Sequence, residues 1–474
     1  MKKFYITTTL PYVNAEPHIG FALEIIQTDV VARYYRQQGY EVFFNTGVDE
    51  HGLKVFRKTQ EENLEPQAYC DIYAKRYGGL KQALNLIYNS FIRTTAPHHI
   101  KAAQEFWRCC DKNRDIYKKD YKIKYCVGCE LEKTESELVD GKCSVHPDQE
   151  LEIIKEENYF FRYSKYQDKL LKFYQKNPRF VLPESRLNEI KEFTKRGLKD
   201  FSISRLKEKM PWGIPVPGDD KHVMSVWFDA LVNYISCLGW PNDLEKFNDF
   251  WPGVQVAGKD NLRQQSSMWQ AMLISAGLPT SKQILIHGFI TVGGQKMSKS
   301  LGNVIDPFGL VKKYGTDAVR YFLLREIPPT EDGDFTYEKF EARYNSDLAS
   351  GLGNLVARVL TMAEKVSSIN YQPSKEKEIE KVIDDARKKY KKALDEFKFN
   401  EALIVIWNLI SFCDKYIEKE KPWEEKENQK IVIGNLLFVI SNIAEMLRPF
   451  LPETSEKIFK QLKTKKSQPL FPRV

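Results

Sequence analysis

The sequence has no uninterrupted apolar run long enough to span a membrane. Its first residues, MKKFYITTTLPYV, lack the long apolar core of a signal peptide. It also contains no internal repeat and no low-complexity tail. The net charge is only +8, from 72 basic and 64 acidic residues, which permits binding of a polyanion but does not require it. These absences predict a cytoplasmic protein without a membrane partner.

What the sequence does contain is an alternation of strand and helix patterns. Residues 3–8 form a short apolar and β-branched run, which is typical of a buried strand. Apolar residues then recur every three or four positions between Gly20 and Gly39, which indicates an amphipathic helix, and the strand pattern EVFFNT follows. This order predicts a βαβ unit and therefore a parallel sheet. Nucleotides commonly bind at the loop after the first strand of such a unit.

The same patterns divide the chain into three predicted domains. The strand patterns GVQVAGKD and QILIHGFITV flank a helical stretch and repeat the organisation of the N-terminal unit. We therefore predict one Rossmann-type nucleotide-binding domain of residues 1–115 and 226–340, interrupted by a more polar insertion at 116–225. Helical periodicity dominates residues 341–474 and predicts a separate helical bundle. The expected fold class is α/β with an α-helical C-terminal domain.

The insertion contains the strongest metal-binding signal. Cys126 and Cys129 are separated by two residues, and thirteen residues later Cys143 and His146 repeat that spacing. Two such pairs at hairpin distance can close a tetrahedral Zn²⁺ site. Because all four ligands are side chains, the predicted ion is structural and has no open position for water. The alternative is a set of buried cysteines without a metal.

A second signal is the loop GGQKMSKSLGN at residues 293–303, which follows a predicted strand and carries Lys296 and Lys299. Lysine ammonium groups can neutralise the charge of a pyrophosphate leaving group. The alternative is a solvated basic loop. The motif PHIG at residues 17–20, directly after the first predicted strand, favours the phosphate-binding interpretation.

PHIG followed by KMSKS resembles the signature pair of class I aminoacyl-tRNA synthetases. More closely, the chain resembles the methionyl-tRNA synthetase family over nearly its whole length. The motifs TTTLPYVNAEPHIG, NTGVDEHG, YCVGCE, VWFDALVNY, AGKD, KMSKSLGNVIDP and YIEKEKPW follow in that family's order. The resemblance implies a Rossmann-type catalytic domain with a zinc-knuckle insertion and a helical anticodon-binding domain. It also implies ATP-dependent ligation of L-methionine to its tRNA through methionyl-adenylate, with Mg²⁺ accompanying ATP.

The resemblance also assigns roles in the nucleotide site. His18 would donate hydrogen bonds to phosphate oxygens, and Gly20 would let the adenine approach the backbone. Without the lysine loop, His18 would be interpreted as an ordinary residue at a helix start. The implied catalytic residues are His18, Gly20, Lys296 and Lys299, and the implied ATP-binding residues are His18, Gly20, Glu24, Gly258, Asp260, His287 and Lys299.

Two further sets of residues match family positions. Asp49 is expected to pair with the α-ammonium of the amino acid, and aromatic rings suit a thioether side chain. Without the family, Trp227 and Tyr234 would be interpreted as core residues, because VWFDALVNY has a helical period. The implied methionine-binding residues are Leu10, Tyr12, Asp49, Trp227, Tyr234, Asn261 and Gln265, and the implied anticodon-binding residues are Asn354, Arg358 and Trp423.

The sequence departs from the family pattern in two places. Phe21 stands where a second histidine usually ends the first motif, and phenylalanine cannot donate to a phosphate. Asn261 stands where an apolar residue is common, and Gln264 and Gln265 replace Phe-His. Gln265 could take over the hydrogen bonds of the histidine, for example to Tyr234, in a methionine pocket of different shape.

Several alternatives remain beside the methionine enzyme. Synthetases for valine, isoleucine or leucine usually carry a large editing insertion, and the insertion here is too short for one. Cysteine enzymes place zinc in the catalytic pocket. A catalytically impaired tRNA-binding paralogue is favoured slightly by Phe21, but a pure binding protein has no need of a lysine clamp. A zinc-knuckle RNA-binding module would leave most of the chain unexplained. The end of the chain at QPLFPRV, with no further domain, predicts a monomer.

Overall fold

A computed structural model describes residues 1–133, 137–297, 302–366, 376–424 and 428–473 of the chain. Strands are concentrated in its first two thirds and helices in its last third. The strands are β1 (Lys3–Thr7), β2 (Glu41–Val48), β3 (Ser90–Arg93), β4 (Ile116–Cys126), β5 (Leu131–Lys133), β6 (Leu138–Val139), β7 (Lys142–Cys143), β8 (Glu152–Phe161), β9 (Val181–Leu182), β10 (Phe201–Ser202), β11 (Ser204–Leu206), β12 (Pro215–Val216), β13 (Asp219–Met224), β14 (Val254–Gly258), β15 (Gln283–His287), β16 (Ile290–Val292), β17 (Gln295–Lys296) and β18 (Gly333–Phe335).

The helices alternate with these strands and then follow one another without interruption by a sheet. Short 3₁₀ turns occur at Tyr163–Tyr166 and Lys259–Asn261, and π-helical segments at Gln264–Met268 and Tyr344–Gly353. The α-helices are α1 (Ile19–Gln37), α2 (Leu53–Glu61), α3 (Pro66–Ala83), α4 (Pro97–Lys112), α5 (Gln167–Lys176), α6 (Glu184–Lys195), α7 (Val226–Ala230), α8 (Asn233–Ser236), α9 (Leu244–Phe250), α10 (Trp269–Ser275), α11 (Pro307–Tyr314), α12 (Thr316–Arg325), α13 (Tyr337–Arg343), α14 (Asn354–Glu364), α15 (Lys377–Asp395), α16 (Phe399–Glu420), α17 (Gln429–Leu447) and α18 (Pro452–Thr464).

The chain forms two compact units. The first unit comprises residues 1–17, 38–79 and 87–287, and the second comprises 18–37, 80–86 and 288–474. Helix α1, which begins after the first strand, therefore belongs to the second unit, together with the helices of the C-terminal part.

A six-stranded parallel sheet forms the centre of the first unit, in the order β3-β2-β1-β14-β15-β9. Strand β14 is buried along its whole length, as expected for a parallel sheet covered on both faces. Because β1 and β2 pair in parallel and α1 lies between them in the chain, the predicted strand–helix–strand unit is confirmed. The sequence pattern did not predict the edge strand β9, because two residues are too few to show periodicity.

The segment predicted as an insertion builds smaller antiparallel sheets in the same unit. Strands β4 and β8 pair over ten residues and belong to a sheet of order β10-β8-β4-β5. The exposed and buried residues alternate along the middle of β8, which is typical of a sheet with one solvated face. Strands β6 and β7 form a separate hairpin near its tip.

The second unit is mainly helical, with a small sheet of order β17-β16-β18. Its helices α13 to α18 confirm the predicted bundle. Helix α17 has the length and mean hydropathy of a membrane span, but 67% of that window is buried inside the protein. The apolar residues of α17 therefore belong to the core of the bundle.

Arg320 of α12 is fully buried in the second unit and joins three parts of it. Its guanidinium donates to the carbonyl oxygens of Phe450 at 2.7 Å, Pro449 at 2.9 Å and Leu84 at 3.1 Å. It also pairs with Asp29 of α1 at 2.8 Å. The charge is thus compensated on every side, which is the condition for burying it.

Replacing this side chain tests its structural role. We expect Arg320→Ala to lower the free energy of unfolding by roughly 3–5 kcal/mol, because it removes one of the two cations paired with the buried Asp29, which keeps Arg33, and the hydrogen bonds to three carbonyl oxygens. Urea denaturation followed by circular dichroism measures the change. The matched control is Arg343→Ala, whose half-buried ion pairs with Glu326 and Asp347 should contribute about 1 kcal/mol or less. Equal losses in the two variants would contradict this account.

Candidate active site

Two strand ends of the first unit bring together residues predicted to contact ATP. Gly258 and His287 are the last residues of β14 and β15 and are register partners. A Cβ on Gly258 would lie 2.7 Å from Oδ1 of Asp260 and 3.8 Å from Nε2 of His287. A side chain at position 258 would therefore displace the carboxylate of Asp260. This carboxyl edge of the parallel sheet is the place where nucleotides bind in open α/β folds.

The neighbouring strands carry the predicted partners of the amino acid. Tyr12 follows β1 and forms an isolated bridge with Asp49, which follows β2. Asp49 is only 3% exposed, and its Oδ1 has no hydrogen-bond partner among the described residues. The same holds for the hydroxyl of Tyr12. Burial, followed by the charges of Asp229 and Glu130, raises the pKa of Asp49 well above its ordinary value.

The aromatic residues predicted for the methionine pocket also lie in this unit. Tyr234 is 1% exposed, and its hydroxyl accepts a hydrogen bond of 2.7 Å from Nε2 of Gln265. The structure thus contains the hydrogen bond that the sequence suggested for Gln265. Trp227 and Leu10 pack, partly buried, against the same hydrophobic core that includes Tyr234. Tyr234 is thus a core residue, as the helical period of its segment indicated, and its role in the methionine pocket stays a prediction.

Asn261, a residue predicted for the methionine pocket, contacts Asp260, a residue predicted for the ATP site. Its side-chain amide donates to Oδ1 of Asp260 at 3.1 Å. It lies at the end of a 3₁₀ turn with no buried residue. Gln264, by contrast, is 6% exposed, and its Oε1 has no hydrogen-bond partner within the described part of the chain.

The second unit places the two signature motifs side by side. The backbone N–H of Gly20 donates to Nδ1 of His18 at 3.1 Å. A Cβ on Gly20 would lie 2.9 Å from Cε1 of His18 and 3.6 Å from the methyl group of Met297, in the lysine loop. The backbone N–H of Ile19 donates to the carbonyl oxygen of Ile305, beyond that loop, at 3.1 Å. A larger residue at position 20 would therefore displace the imidazole of His18.

His18 has a defined protonation state in this arrangement. Burial lowers its pKa, so the imidazole is neutral near pH 7. Because Nδ1 accepts from Gly20, the single ring proton is on Nε2, which is then a hydrogen-bond donor. Phe21 is half-buried, and its side chain adds no donor beside this histidine.

The remaining predicted residues of this motif pair are placed as follows. Glu24 is 4% exposed, one turn along α1. Lys296 is exposed in β17, and its carbonyl oxygen accepts from the side chain of Asn303 at 3.2 Å. Lys299 lies outside the described residues.

The predicted metal ligands converge in the first unit. The ligand atoms of Cys126, Cys129, Cys143 and His146 all lie within 4.8 Å of one another. Nδ1 of His146 is 3.2 Å from Sγ of Cys129 and 3.7 Å from Sγ of Cys126. Three thiols and one imidazole at these separations fit a tetrahedral zinc ion. A Cβ on Gly128 would lie 2.6 Å from Cγ of His146, so only glycine leaves room for the imidazole.

The predicted metal-binding knuckle, residues 126–133 and 137–146, contacts residues predicted for the amino-acid site. Nε1 of Trp227 donates to the carbonyl oxygen of Cys129 at 3.0 Å. Glu130 accepts from the backbone N–H of Lys54 at 2.6 Å and from the hydroxyl of Tyr125 at 2.6 Å. Nζ of Lys54 lies 4.9 Å from the ring centroid of Tyr12. A metal in the knuckle would therefore fix one wall of the amino-acid site without taking part in chemistry.

The sequence did not predict a buried hydrogen-bond network that includes His51, two residues after Asp49. Both oxygens of Asp229 are bonded, one to Nδ1 of His51 at 2.7 Å and the other to Nε2 of His99 at 2.8 Å. Nδ1 of His99 is 2.8 Å from Oγ of Ser236. Burial raises the pKa of Asp229, but the charge and hydrogen bond of His51 and the hydrogen bond of His99 outweigh it and lower the pKa overall. The network anchors the loop after β2, on which Asp49 lies.

The second unit brings the predicted anticodon residues together. The guanidinium carbon of Arg358 lies 5.7 Å from the ring centroid of Trp423, whose side chain is 52% exposed. Asn354 is exposed one turn earlier on α14. A planar guanidinium, an exposed indole and an amide on one face are the groups that stack on and read unpaired bases.

Comparisons with known proteins give a consistent result. A family model described as "tRNA synthetases class I (M)" matches residues 4–150 and 128–360, and one described as "Anticodon-binding domain of tRNA ligase" matches residues 376–472. The methionine–tRNA ligase of Thermotoga maritima is 43% identical, over 97% of this chain and 75% of its own length. The chain belongs to the methionyl-tRNA synthetase family.

Other members of the methionyl-tRNA synthetase family are also similar to this chain. The methionine–tRNA ligase of Thermosynechococcus vestitus is 42% identical, over 97% of this chain and 90% of its own. Mycobacterium tuberculosis methionyl-tRNA synthetase in complex with methionyl-adenylate superposes with a TM-score of 0.93 at 36% identity, covering 100% of both chains. The apo form of that enzyme gives 0.86 at 34% identity, covering 100% of this chain and 98% of its own. The similarity therefore extends over the whole fold.

Zinc binding by the knuckle can be tested directly. We expect the wild-type chain to retain about one zinc ion through a chelator wash, and Cys143→Ser to retain almost none, because a structural site needs all four ligands. Atomic emission measures the metal, and limited proteolysis between residues 126 and 146 reports the loosened knuckle. Cys413→Ser, at a buried cysteine of the second unit, is the control and should keep its zinc. Full zinc retention by Cys143→Ser would refute the assignment.

Proposed function

We propose that this chain ligates L-methionine to its cognate tRNA through methionyl-adenylate, consuming ATP and releasing AMP and pyrophosphate. Membership of the methionyl-tRNA synthetase family supports this proposal. The observation that carries it is the Asp49 carboxylate, which is buried at the carboxyl edge of the sheet and whose Oδ1 has no hydrogen-bond partner in the part of the chain that the structure describes. A buried carboxylate of raised pKa is poised to take up an ammonium group.

The amino acid binds at the ends of β1 and β2. Asp49 pairs with its α-ammonium, and the hydroxyl of Tyr12, which has no partner within the described residues, is a second polar contact. Trp227, Tyr234 and Leu10 surround the thioether, whose polarizable sulfur packs well against rings. Gln265 orients Tyr234 in place of the histidine that the family commonly has.

The nucleotide contacts are proposed separately for the two units. In the first unit, Gly258 lies at the end of β14, and Asp260 and His287 contact the adenosine. In the second unit, Glu24 of α1 is a further nucleotide contact. The Nε2–H group of neutral His18 donates a hydrogen bond to phosphate oxygens as negative charge develops on them. Lys296 and Lys299 bind the outer phosphates, and Mg²⁺, when bound with ATP, would supply further positive charge for these phosphates.

The chemistry consists of two transfers without a covalent enzyme intermediate. A carboxylate oxygen of methionine attacks the α-phosphorus, and the bond from that phosphorus to the pyrophosphate oxygen breaks. A hydroxyl of the terminal ribose of the tRNA then attacks the methionyl carbonyl carbon and releases AMP. Positioning and electrostatic stabilisation carry the rate of the first step. Asn354, Arg358 and Trp423 select the tRNA by contacting its anticodon.

The wider assignments are part of the same proposal. The catalytic domain comprises residues 1–115 and 226–340, the knuckle insertion 116–225, and the anticodon-binding domain 341–474. The zinc ion is structural, and the enzyme acts as a cytoplasmic monomer.

A second candidate function is favoured by one observation. Phe21 supplies no hydrogen-bond donor at the first signature motif, which is compatible with a tRNA-binding paralogue of impaired catalysis. His18 nevertheless keeps its neutral state and its Nε2 donor, and these would serve no purpose in a binding protein. Catalysis therefore remains the proposed function.

Substituting Asp49 tests the proposal. In charging of tRNA with labelled methionine, we expect Asp49→Asn to raise the KM for methionine by about 30-fold or more, because a buried charge pair is lost. The KM for ATP should change by less than about threefold. The exposed Asp220→Asn is the matched control and should behave as wild type. An unchanged methionine KM in Asp49→Asn would rule out this role.

The pH dependence gives an independent check of the same residue. Only the ionised carboxylate pairs with an ammonium group, and the pKa of Asp49 is raised. The KM for methionine should therefore rise as the pH falls through this raised pKa, above the range in which an ordinary aspartate titrates. The KM of Asp49→Asn should show no such rise.

A further inference from the structure

The first turn of helix α2 is capped by a side chain of the predicted metal-binding knuckle, and the inference drawn from this contact rests on the proposed function. Helix α2 begins at Leu53, shortly after Asp49. Its N-cap residue is Gly52, which has no side chain to accept from the first backbone N–H groups of the helix. The acceptor comes instead from a residue that is distant in the chain.

This acceptor is Glu130, which is 4% exposed. Its Oε1 accepts a hydrogen bond of 2.6 Å from the backbone N–H of Lys54, the second residue of α2. The side chain of an N-cap residue usually binds an N–H group at this position. A carboxylate is also favoured there by the helix dipole, whose positive end is at the N-terminus. Glu130 therefore takes the place of the cap that Gly52 lacks.

The glutamate is held firmly for this contact. Its backbone has a φ of 53°, in the left-handed region that few residues other than glycine adopt. Such a conformation persists only where the surroundings fix it, and it is common at functional positions. Oε2 of Glu130 accepts from the hydroxyl of Tyr125 at 2.6 Å. Both carboxylate oxygens thus have a partner, and Oε1 is directed at the helix.

The helix start is shaped to admit the carboxylate. Gly52 has a φ of 105°, and a Cβ at this position would lie 2.9 Å from Oε1 of Glu130 and 3.3 Å from its Cδ. Nζ of Lys54 donates to the carbonyl oxygen of Gly128 at 3.4 Å. The first turn of α2 is therefore joined to the knuckle through both the backbone and the side chain of Lys54.

The cap holds one end of the short loop that carries Asp49. This loop connects the end of β2 to the start of α2. Its middle is held by the hydrogen bond between His51 and Asp229, and its end by the bond to Glu130. Holding a binding loop in its bound arrangement raises affinity, because less ordering is required when the ligand binds.

We propose that Glu130 is a positioning residue for the amino acid, which by capping α2 holds the loop in the arrangement in which Asp49 pairs with the α-ammonium group. Without the cap the loop has further arrangements, and the apparent affinity falls with the fraction of protein in the competent one. The effect is on methionine and not on ATP, because Asp49 is the group that the cap positions.

The KM for methionine in pyrophosphate exchange tests this role. We expect Glu130→Ala to raise it about tenfold, because the loop is no longer held at the helix start. The kcat should stay within about threefold and the KM for ATP within about twofold, since neither depends on the ammonium contact. Glu130→Gln keeps an acceptor oxygen for the N–H of Lys54 but has no charge, and should raise the KM for methionine only about two- to threefold.

The matched control is Asp243→Ala, which removes the cap of another helix of the same unit. The side chain of Asp243 accepts from the backbone N–H of Lys246 at 3.0 Å, at the start of α9. Its KM for methionine should equal that of wild type. If Glu130→Ala does not fold, as judged by circular dichroism, Glu130→Gln decides the outcome against this control.

Hydrogen–deuterium exchange measures the cap itself. In protein without methionine, the peptide of residues 50–58 should exchange faster in Glu130→Ala than in wild type, because the first turn of α2 opens more often. Asp243→Ala should show wild-type exchange in this peptide. Zinc retention, measured by atomic emission, should be equal in all variants, since Glu130 is not among the four predicted ligands.

An unchanged KM for methionine in folded Glu130 variants, an equal rise in Asp243→Ala, or a rise accompanied by loss of zinc would overturn the inference and leave the proposed function standing. Wild-type protein that shows no exchange with methionine would instead remove the proposed function, and this inference with it.

Discussion

The structure depends on the position of β1 at the centre of the parallel sheet. This strand pairs with β2 on one side and with β14 on the other, so that Ile6 lies opposite both Phe44 and Val254. In a parallel sheet the carboxyl ends of neighbouring strands meet at one edge. The pairing therefore places residues that precede the insertion and residues that follow it at one edge of the sheet.

Different strand ends along this edge carry the residues proposed for the amino acid and those proposed for the nucleotide. The ends of β1 and β2 present Tyr12 and Asp49, and the ends of β14 and β15 present Gly258 and His287. The strand order reverses between these two pairs, which is the topological switch point at which α/β sheets bind ligands. The predicted metal-binding knuckle is joined to Trp227, whose Nε1 donates to the carbonyl oxygen of Cys129.

Two buried aspartates have different roles, one in a structural hydrogen-bond network and the other in the proposed binding of the amino acid. Asp229 is bonded to two histidines, and its pKa is lowered despite burial. Asp49 interacts with it electrostatically, and burial raises the pKa of Asp49 although a backbone hydrogen bond from His51 opposes this. The first carboxylate is bonded at both oxygens, while Oδ1 of the second has no hydrogen-bond partner among the described residues. The satisfied group anchors the loop that carries the unsatisfied one.

Much of this arrangement could be predicted from local sequence. The strand–helix–strand unit, the spacing of Cys126 and Cys129 and the contact between Gln265 and Tyr234 all follow from short motifs with a known chemical requirement. His99, Glu130 and Arg320 could not be predicted in this way. Their partners lie far away in the chain, and a buried hydrogen bond between distant residues leaves no periodicity or motif at either position. The edge strand β9 was not predicted for a related reason, because its two residues form a strand by pairing with the distant β15.

The measurement that tests the central claim most directly is amino-acid-dependent exchange of labelled pyrophosphate into ATP by the wild-type chain. The account predicts exchange with methionine and none with the other natural amino acids, because Asp49 and the aromatic wall accept a thioether amino acid beside the bound ATP. Absence of exchange with every amino acid, in folded protein that retains zinc, would contradict the account and favour a tRNA-binding protein without catalysis.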